Sequence, residues 1–210
     1  WGSAGITVAW EIYQQYNEIK MLSEHYDAMK KYISFLETRI DPETGIMNEG
    51  PLGDWLSPEG NKNDNTLLWE AYYLYDLDLM AKIARVLDKP KDEERFRKRY
   101  RERKEFFNEK YVSPVTHKTV KSGFKTQLRP AIGDSDEIGS MKAGTEMDTQ
   151  ASYAIPLAFG IFNNENREYA AQYLAAAVKR KNRDDYGKIL PEFSLMTGFI
   201  GTAWINKALS

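Results

Sequence analysis

The sequence predicts an all-α protein built from helical hairpins, closed into a toroid or stacked as an open solenoid. Three observations predict this. Apolar residues recur at three- and four-residue steps along most of the chain, and no strand of consequence interrupts them. Segments apolar over much of their circumference alternate with heavily charged ones, as inner and outer helices do. Long loops rich in Gly and Pro lead into the apolar segments, and hairpin topology gathers such loops at one end.

In order, residues 4–17 place Ile6, Trp10, Tyr13 and Asn17 on one stripe, which Ala9 and Tyr16 widen. Ser23 with Glu24 is the expected start of a second helix. It carries Tyr26, Met29, Ile33 and Leu36, with Tyr32 and Phe35 broadening the face. The turn Asp41-Pro42-Glu43-Thr44-Gly45 ends it and opens a loop that runs to Asp64. Asp64 or Asn65 then caps an inner helix through Leu87, and Pro90 marks the break after it. Residues 92–110 interleave charges of both signs around Phe96, Tyr100 and Phe107, the pattern of a solvated outer helix.

The second long loop, Tyr111 to Thr145, contains a short hairpin arm over Val115–Val120 and the acidic run Asp134-Ser135-Asp136-Glu137. That run lacks the spacing of a calcium-binding helix–loop–helix and reads as solvated loop. Glu146–Phe162 is the next inner helix, with Pro156 expected to kink it. Asn164–Lys181 is its outer partner, and after a third loop a final helix begins near Gly198.

Composition narrows the function. The 210 residues are 42% hydrophobic and 13% aromatic, enough for a substantial core in one domain. A net charge of −2 gives no basic excess for a nucleic-acid partner. No apolar run reaches the ~18–20 residues of a membrane helix. Without cysteine there is no disulfide framework, thiol nucleophile or thiolate metal site. His25 and His117, far apart, form no metal-ligand spacing, so no metal or cofactor is expected. Chemistry falls to carboxylates.

The stretch Gly53-Asp54-Trp55-Leu56 keeps a carboxylate and a tryptophan side by side in a turn-rich loop. Such a pair suits a sugar, with an apolar face for C–H groups and an acceptor for hydroxyls. It equally suits a loop anchored on a helical body. Glu49, Glu146 and Asp148 lie where loops enter inner helices and are weaker candidates.

Four stretches together resemble the catalytic barrel of glycoside hydrolase family 78, the α-L-rhamnosidases. Trp1-Gly2-Ser3-Ala4 looks like that family's Trp-Gly-Asp-Ala segment, with Ser3 in place of its aspartate. Tyr26-Asp27-Ala28-Met29-Lys30-Lys31-Tyr32 resembles the outer helix that follows. Gly53-Asp54-Trp55-Leu56 matches its Gly-Asp-Trp-Leu loop, and Thr197-Gly198-Phe199-Ile200-Gly201-Thr202 its Thr-Gly-Phe-Val-Gly-Thr entry to a late inner helix.

The resemblance covers the whole chain and implies part, about half, of an (α/α)6 six-hairpin toroid. It implies inverting hydrolysis of terminal α-L-rhamnose, with Trp1, Asp54 and Trp55 on the sugar-binding wall. The family's general acid and general base lie in motifs upstream and downstream of these stretches, so neither is assigned here. Residues 1–210 are therefore expected to be one partial domain, completed by the remainder of the same polypeptide. Alone it is expected to be inert and poorly soluble.

Two other readings compete. A tetratricopeptide-like protein-binding scaffold fits the Ala- and Tyr-rich helices, but the hairpins do not recur at about 34 residues. Another toroidal carbohydrate enzyme, acting on glucosides, fits the fold without the two rhamnosidase-like loop motifs.

Overall fold

The computed structural model describes residues 2–48, 52–124 and 142–210. These residues form the helices α1 (Ala4–Tyr16), α2 (Ile19–Glu37), α3 (Asn65–Val86), α4 (Pro90–Tyr111), α5 (Gln150–Ala158), α6 (Asn164–Lys179) and α7 (Phe199–Leu209). Two-residue strands β1 (Asn182–Arg183) and β2 (Ile189–Leu190) pair antiparallel. The chain divides into two compact units, Trp1–Glu49 with Tyr72–Glu105, and Gly50–Ala71 with Phe106–Ser210.

In the first unit α1 and α2 form a hairpin. Asn17 takes the left-handed conformation (φ 54°), its N–H donates to the Tyr13 carbonyl, and Glu18 then caps Lys20 N at 3.1 Å. With this cap, α2 starts at Ile19, a turn before the expected Ser23. Ser23 instead donates to the Lys20 carbonyl within the helix at 2.9 Å. Leu22, Tyr26, Met29, Ile33 and Leu36 are buried at helical spacing, as their periodicity predicts. Tyr16 and Phe35 do not join the core. Tyr16 is exposed, and the exposed Phe35 stacks on Tyr32 with centroids 6.4 Å apart.

Here α3 and α4 run antiparallel, with Arg85 paired to Glu93 at 2.7 Å and Arg99 Nε donating to Tyr73 Oη at 3.4 Å. Leu74, Leu77, Leu79, Met80, Ile83 and Ala84 are all buried, the signature of an inner helix. The break after α3 falls before Pro90, as expected, and Pro90 itself opens α4, two residues ahead of the expected start at Asp92. At the first helical position its missing N–H is no loss, and Asp92 and Glu93 in the first turn suit the helix dipole. Ser3 donates from Oγ to Asp76 Oδ2 at 2.7 Å, so it is bound to the inner helix.

Asp92 also accepts from Tyr26 Oη (2.9 Å) and Lys30 Nζ (2.8 Å). The Lys30 bond, ahead of the Tyr26 bond, holds its carboxyl below the ordinary range. A lowered folded-state pKa contributes stability above the unfolded value, lost as pH falls through the folded one. Asp92→Asn is therefore expected to destabilise this unit by about 1 kcal/mol near neutrality. The difference should close in acid below the ordinary carboxylate range. A gap that persists there in pH-dependent amide exchange would count against the assignment.

In the second unit α5 and α6 form a hairpin, with Tyr153 and Tyr173 rings 5.7 Å apart. Against α5 lies α7, with Phe159 and Trp204 edge-to-face at 4.7 Å. The expected helix from Glu146 is shorter at both ends. Residues 145–147 are extended along residues 119–121: Glu146 bridges Val120, and Met147 N donates to Thr119 O at 2.9 Å. Asp148 is left-handed (φ 50°), and Thr149 caps α5 by accepting from Ser152 N. Pro156 lies in the last turns, and left-handed Gly160 (φ 69°) closes the end. Arg180 is extended, which ends α6 at Lys179 rather than Lys181. The expected arm over residues 115–120 is a turn at Ser113–His117 closed by a Val112–Thr119 bridge. The acidic run 134–137 lies outside the described residues. Among the described residues, no helix is long and apolar enough to cross a membrane.

Candidate functional site

The candidate site is built by the loop Leu52–Asp64, which is fixed through its carboxylates. Asp54, Glu59 and Asp64 recur every five residues, and each meets the N-terminus of a different helix. Asp64 caps α3: Oδ1 accepts from Thr66 N (2.9 Å) and Oγ1 (2.7 Å), while Oδ2 accepts from Ser122 N (2.7 Å) and Oγ (2.6 Å). Glu59 Oε1 accepts from Gln150 N, the first residue of α5, at 3.0 Å. Asp54 Oδ2 accepts from Gly198 N at 2.6 Å and Oδ1 from Gly201 N at 2.8 Å, at the start of α7.

The physical cause is the set of unsatisfied N–H groups that begins every helix, together with the positive end of its dipole. At α7 the need is acute, because the capping position is Gly198, which has no side-chain oxygen. Asp54, far away in sequence, supplies it. Burial pushes the Asp54 carboxyl up, against the pull of the Gly198, Gly201 and Ile200 N–H groups. Burial likewise pushes Glu59 up, against Gln150 N and Lys62.

Glycines let the two segments touch. A Cβ on Gly198 would overlap the Trp55 carbonyl oxygen and lie 2.5 Å from that of Asp54. A Cβ on Gly201 would lie 2.6 Å from Asp54 Oδ2, and one on Gly53 would overlap the Asn65 side chain. Further bonds complete the joint. Phe199 N donates to Trp55 O at 2.7 Å, Ser57 Oγ to Met196 O at 2.9 Å, and Trp69 Nε1 to Leu52 O at 2.8 Å. Gln150 fixes the far side: its amide nitrogen donates to Ala177 O and Ser194 O, and its oxygen accepts from Met196 N. Asp185 accepts from Asn61 N at 3.0 Å, tying the β1–β2 turn to the same loop.

From this frame an aromatic face projects. Trp55 is 53% exposed and Phe199 64% exposed, with ring centroids 6.5 Å apart and planes inclined at 48°. Leu56, left-handed at φ 62°, is exposed beside Trp55 in sequence. A joint with this many backbone bonds offers two apolar rings on a rigid support, suited to the C–H face of a pyranose. Glu59 and Gln150 belong to no motif in the sequence, and Phe199 stands there only as one residue of the 197–202 stretch. A glycine at a helix N-cap was the one available signal that a partner must come from elsewhere.

The remaining candidates lie as follows. Asp54 is only 6% exposed, with both oxygens on α7 N–H groups. Glu146 and Asp148 form a second cluster: Glu146 accepts from Thr116 Oγ1 and Lys118 Nζ, each at 3.0 Å. Asp148 accepts from Tyr153 Oη at 3.1 Å and Arg180 Nη1 at 2.6 Å. Trp1 and Glu49 lie outside the described residues. His25 is exposed, and His117 stacks on Tyr169 at 4.1 Å with Nδ1 against Asn166 Oδ1. Among the described residues, no group of three or more His, Asp or Glu is placed to hold a metal ion.

Antiparallel helix pairs with loops fastened across helix N-termini define an all-α protein of helical hairpins. The family model for the bacterial alpha-L-rhamnosidase 6 hairpin glycosidase domain matches residues 1–210, and the chain belongs to that family. Its fold is all-α, part of a six-hairpin (α/α)6 toroid. An alpha-L-rhamnosidase of Formosa agariphila is 26% identical over all of this chain and 19% of its own length. One of Streptomyces avermitilis is 27% identical over all of this chain and 16% of its length.

Among solved structures, the Streptomyces avermitilis alpha-L-rhamnosidase complexed with L-rhamnose superposes with a TM-score of 0.73 at 22% identity, covering 100% of this chain and 16% of that one. The native Aspergillus terreus alpha-L-rhamnosidase gives 0.73 at 20% identity, covering 100% of this chain and 21% of that one. The chain thus spans about a fifth or less of the curated relatives named.

Proposed function

We propose that residues 1–210 are one partial domain within the catalytic barrel of a glycoside hydrolase that removes terminal α-L-rhamnose from glycosides or polysaccharides. The observation that carries this reading is the exposed Trp55–Phe199 face, held by the two loop motifs of a chain that belongs to a rhamnosidase domain family. Trp55 stacks on the apolar face of the sugar and its C6 methyl, and Trp1 stands as a further sugar-binding candidate.

Inverting hydrolysis needs one carboxyl group to protonate the leaving oxygen and another to activate water on the opposite face, about 6.5–9.5 Å away. Asp54, Glu59 and Asp64 are committed to helix N-termini, and Glu146 and Asp148 to cationic partners. As the family resemblance implies, the acid and base come from the remainder of the polypeptide, which completes the barrel and the pocket. Glu49 stands as a weaker sugar-binding candidate. No observation favours the protein-binding scaffold.

The test is hydrolysis by the intact protein. An aryl α-L-rhamnoside is expected to be cleaved, and Trp55→Ala to raise KM about tenfold. Cleavage of a glucoside instead would move the substrate within the same fold. Silence toward both would refute the enzymatic reading.

A further inference from the structure

We propose that Asp54 is a positioning residue, which acts on the sugar only through Trp55 by locking the Trp55 loop to the start of α7 in register with Phe199. This rests on the rhamnose-binding reading of the Trp55 face.

The geometry leaves Asp54 little else to do. Its two oxygens take the N–H groups of Gly198 and Gly201, and the side chain is 6% exposed. With so little of the side chain exposed and each oxygen already held by an α7 N–H group, the carboxylate presents almost no surface to a sugar hydroxyl. One residue on, the Trp55 carbonyl takes the Phe199 N–H at 2.7 Å, while both rings face outward. The lock therefore grips the backbone of both ring-bearing residues, on two segments distant in sequence. Gly198 and Gly201 exclude any side chain that would hold those segments apart. The two loop motifs read separately in the sequence are two halves of one joint, and the spacing of its rings depends on the Asp54 bonds.

A double-mutant cycle in the intact protein tests this. Asp54→Asn keeps the volume but can satisfy only one of the two N–H groups, because its amide nitrogen is a donor. It is expected to raise KM for the aryl α-L-rhamnoside severalfold with kcat little changed. In a Trp55→Ala background the same substitution should shift KM by less than about twofold. Multiplying effects would make Asp54 a direct sugar ligand and overturn the proposal, as would an unchanged KM in the Trp55 protein. Should Asp54→Asn fail to fold, Gly201→Ala attacks the same lock from α7 and is read in the same cycle.

A spectroscopic arm separates this inference from the functional one. With 5-fluorotryptophan incorporated, the Trp55 resonance, assigned by its loss in Trp55→Phe, should shift or broaden in Asp54→Asn. If the wild type cleaves no rhamnoside, the functional reading fails while this signal still reports the lock. An unmoved Trp55 resonance overturns the lock whatever the substrate.

Discussion

Asp64→Ala is expected to loosen the start of α3 and the Ser122 segment by about 4 kcal/mol. Asp64 is fully buried, and its carboxylate meets four donors: Thr66 N, Thr66 Oγ1, Ser122 N and Ser122 Oγ. Alanine strands the Thr66 and Ser122 N–H groups, each unpaired donor costing about 1–3 kcal/mol, while the two hydroxyls, 3.1 Å apart, can turn toward each other, which holds the total to about 4 kcal/mol. The loss spreads further, because Tyr111 Oη donates to Thr66 Oγ1 at 3.0 Å. Amide exchange over residues 64–68 and 119–124 of the intact protein should accelerate by about a thousandfold, while α2 is unaffected. Unchanged protection in those segments would show that Asp64 is not the pin described here.

Gly198→Ala is the second large effect, expected at about 3 kcal/mol by overpacking. Its conformation is not the cause, since φ is −90° and open to any residue. The cause is close approach: the added methyl would overlap Trp55 O and lie 2.5 Å from Asp54 O and 2.6 Å from Ser57 N, all backbone atoms that no rotamer change can move. The joint must open, so weakened protection of residues 53–57 and 197–202 should accompany a raised KM for the rhamnoside. Gly5 gives the contrast. It lies in α1, where an added methyl would meet nothing within 4 Å, so Gly5→Ala should be neutral or slightly stabilising. Equal effects at the two glycines would contradict the contact argument.

Helix interiors were legible in the sequence because a buried face needs apolar residues at fixed spacing, as Tyr26, Met29, Ile33 and Leu36 show. Helix starts were less so. Glu18 and Pro90 open helices where Ser23 and Asp92 were the expected starts, since capping depends on which nearby oxygen or missing N–H the fold can use. Glu146 failed as a helix residue because a tertiary pairing with Val120 outweighs its helical preference.

At the candidate site, the motifs carrying Asp54, Trp55, Gly198 and Gly201 were visible, but not that they meet. Nothing in a local stretch says that a glycine at a helix start will be capped by a carboxylate more than a hundred residues away. Phe199, visible only as one residue of its motif, had no role of its own for the same reason: it matters through its approach to Trp55, not through its neighbours in sequence.

The structure of the intact protein with L-rhamnose bound tests the central claim most directly. Sugar carbons should lie within about 4–4.5 Å of the Trp55 ring, with Asp54 still holding the Gly198 and Gly201 N–H groups. Rhamnose bound away from Trp55, or Asp54 turned from α7 to a sugar hydroxyl, would contradict it.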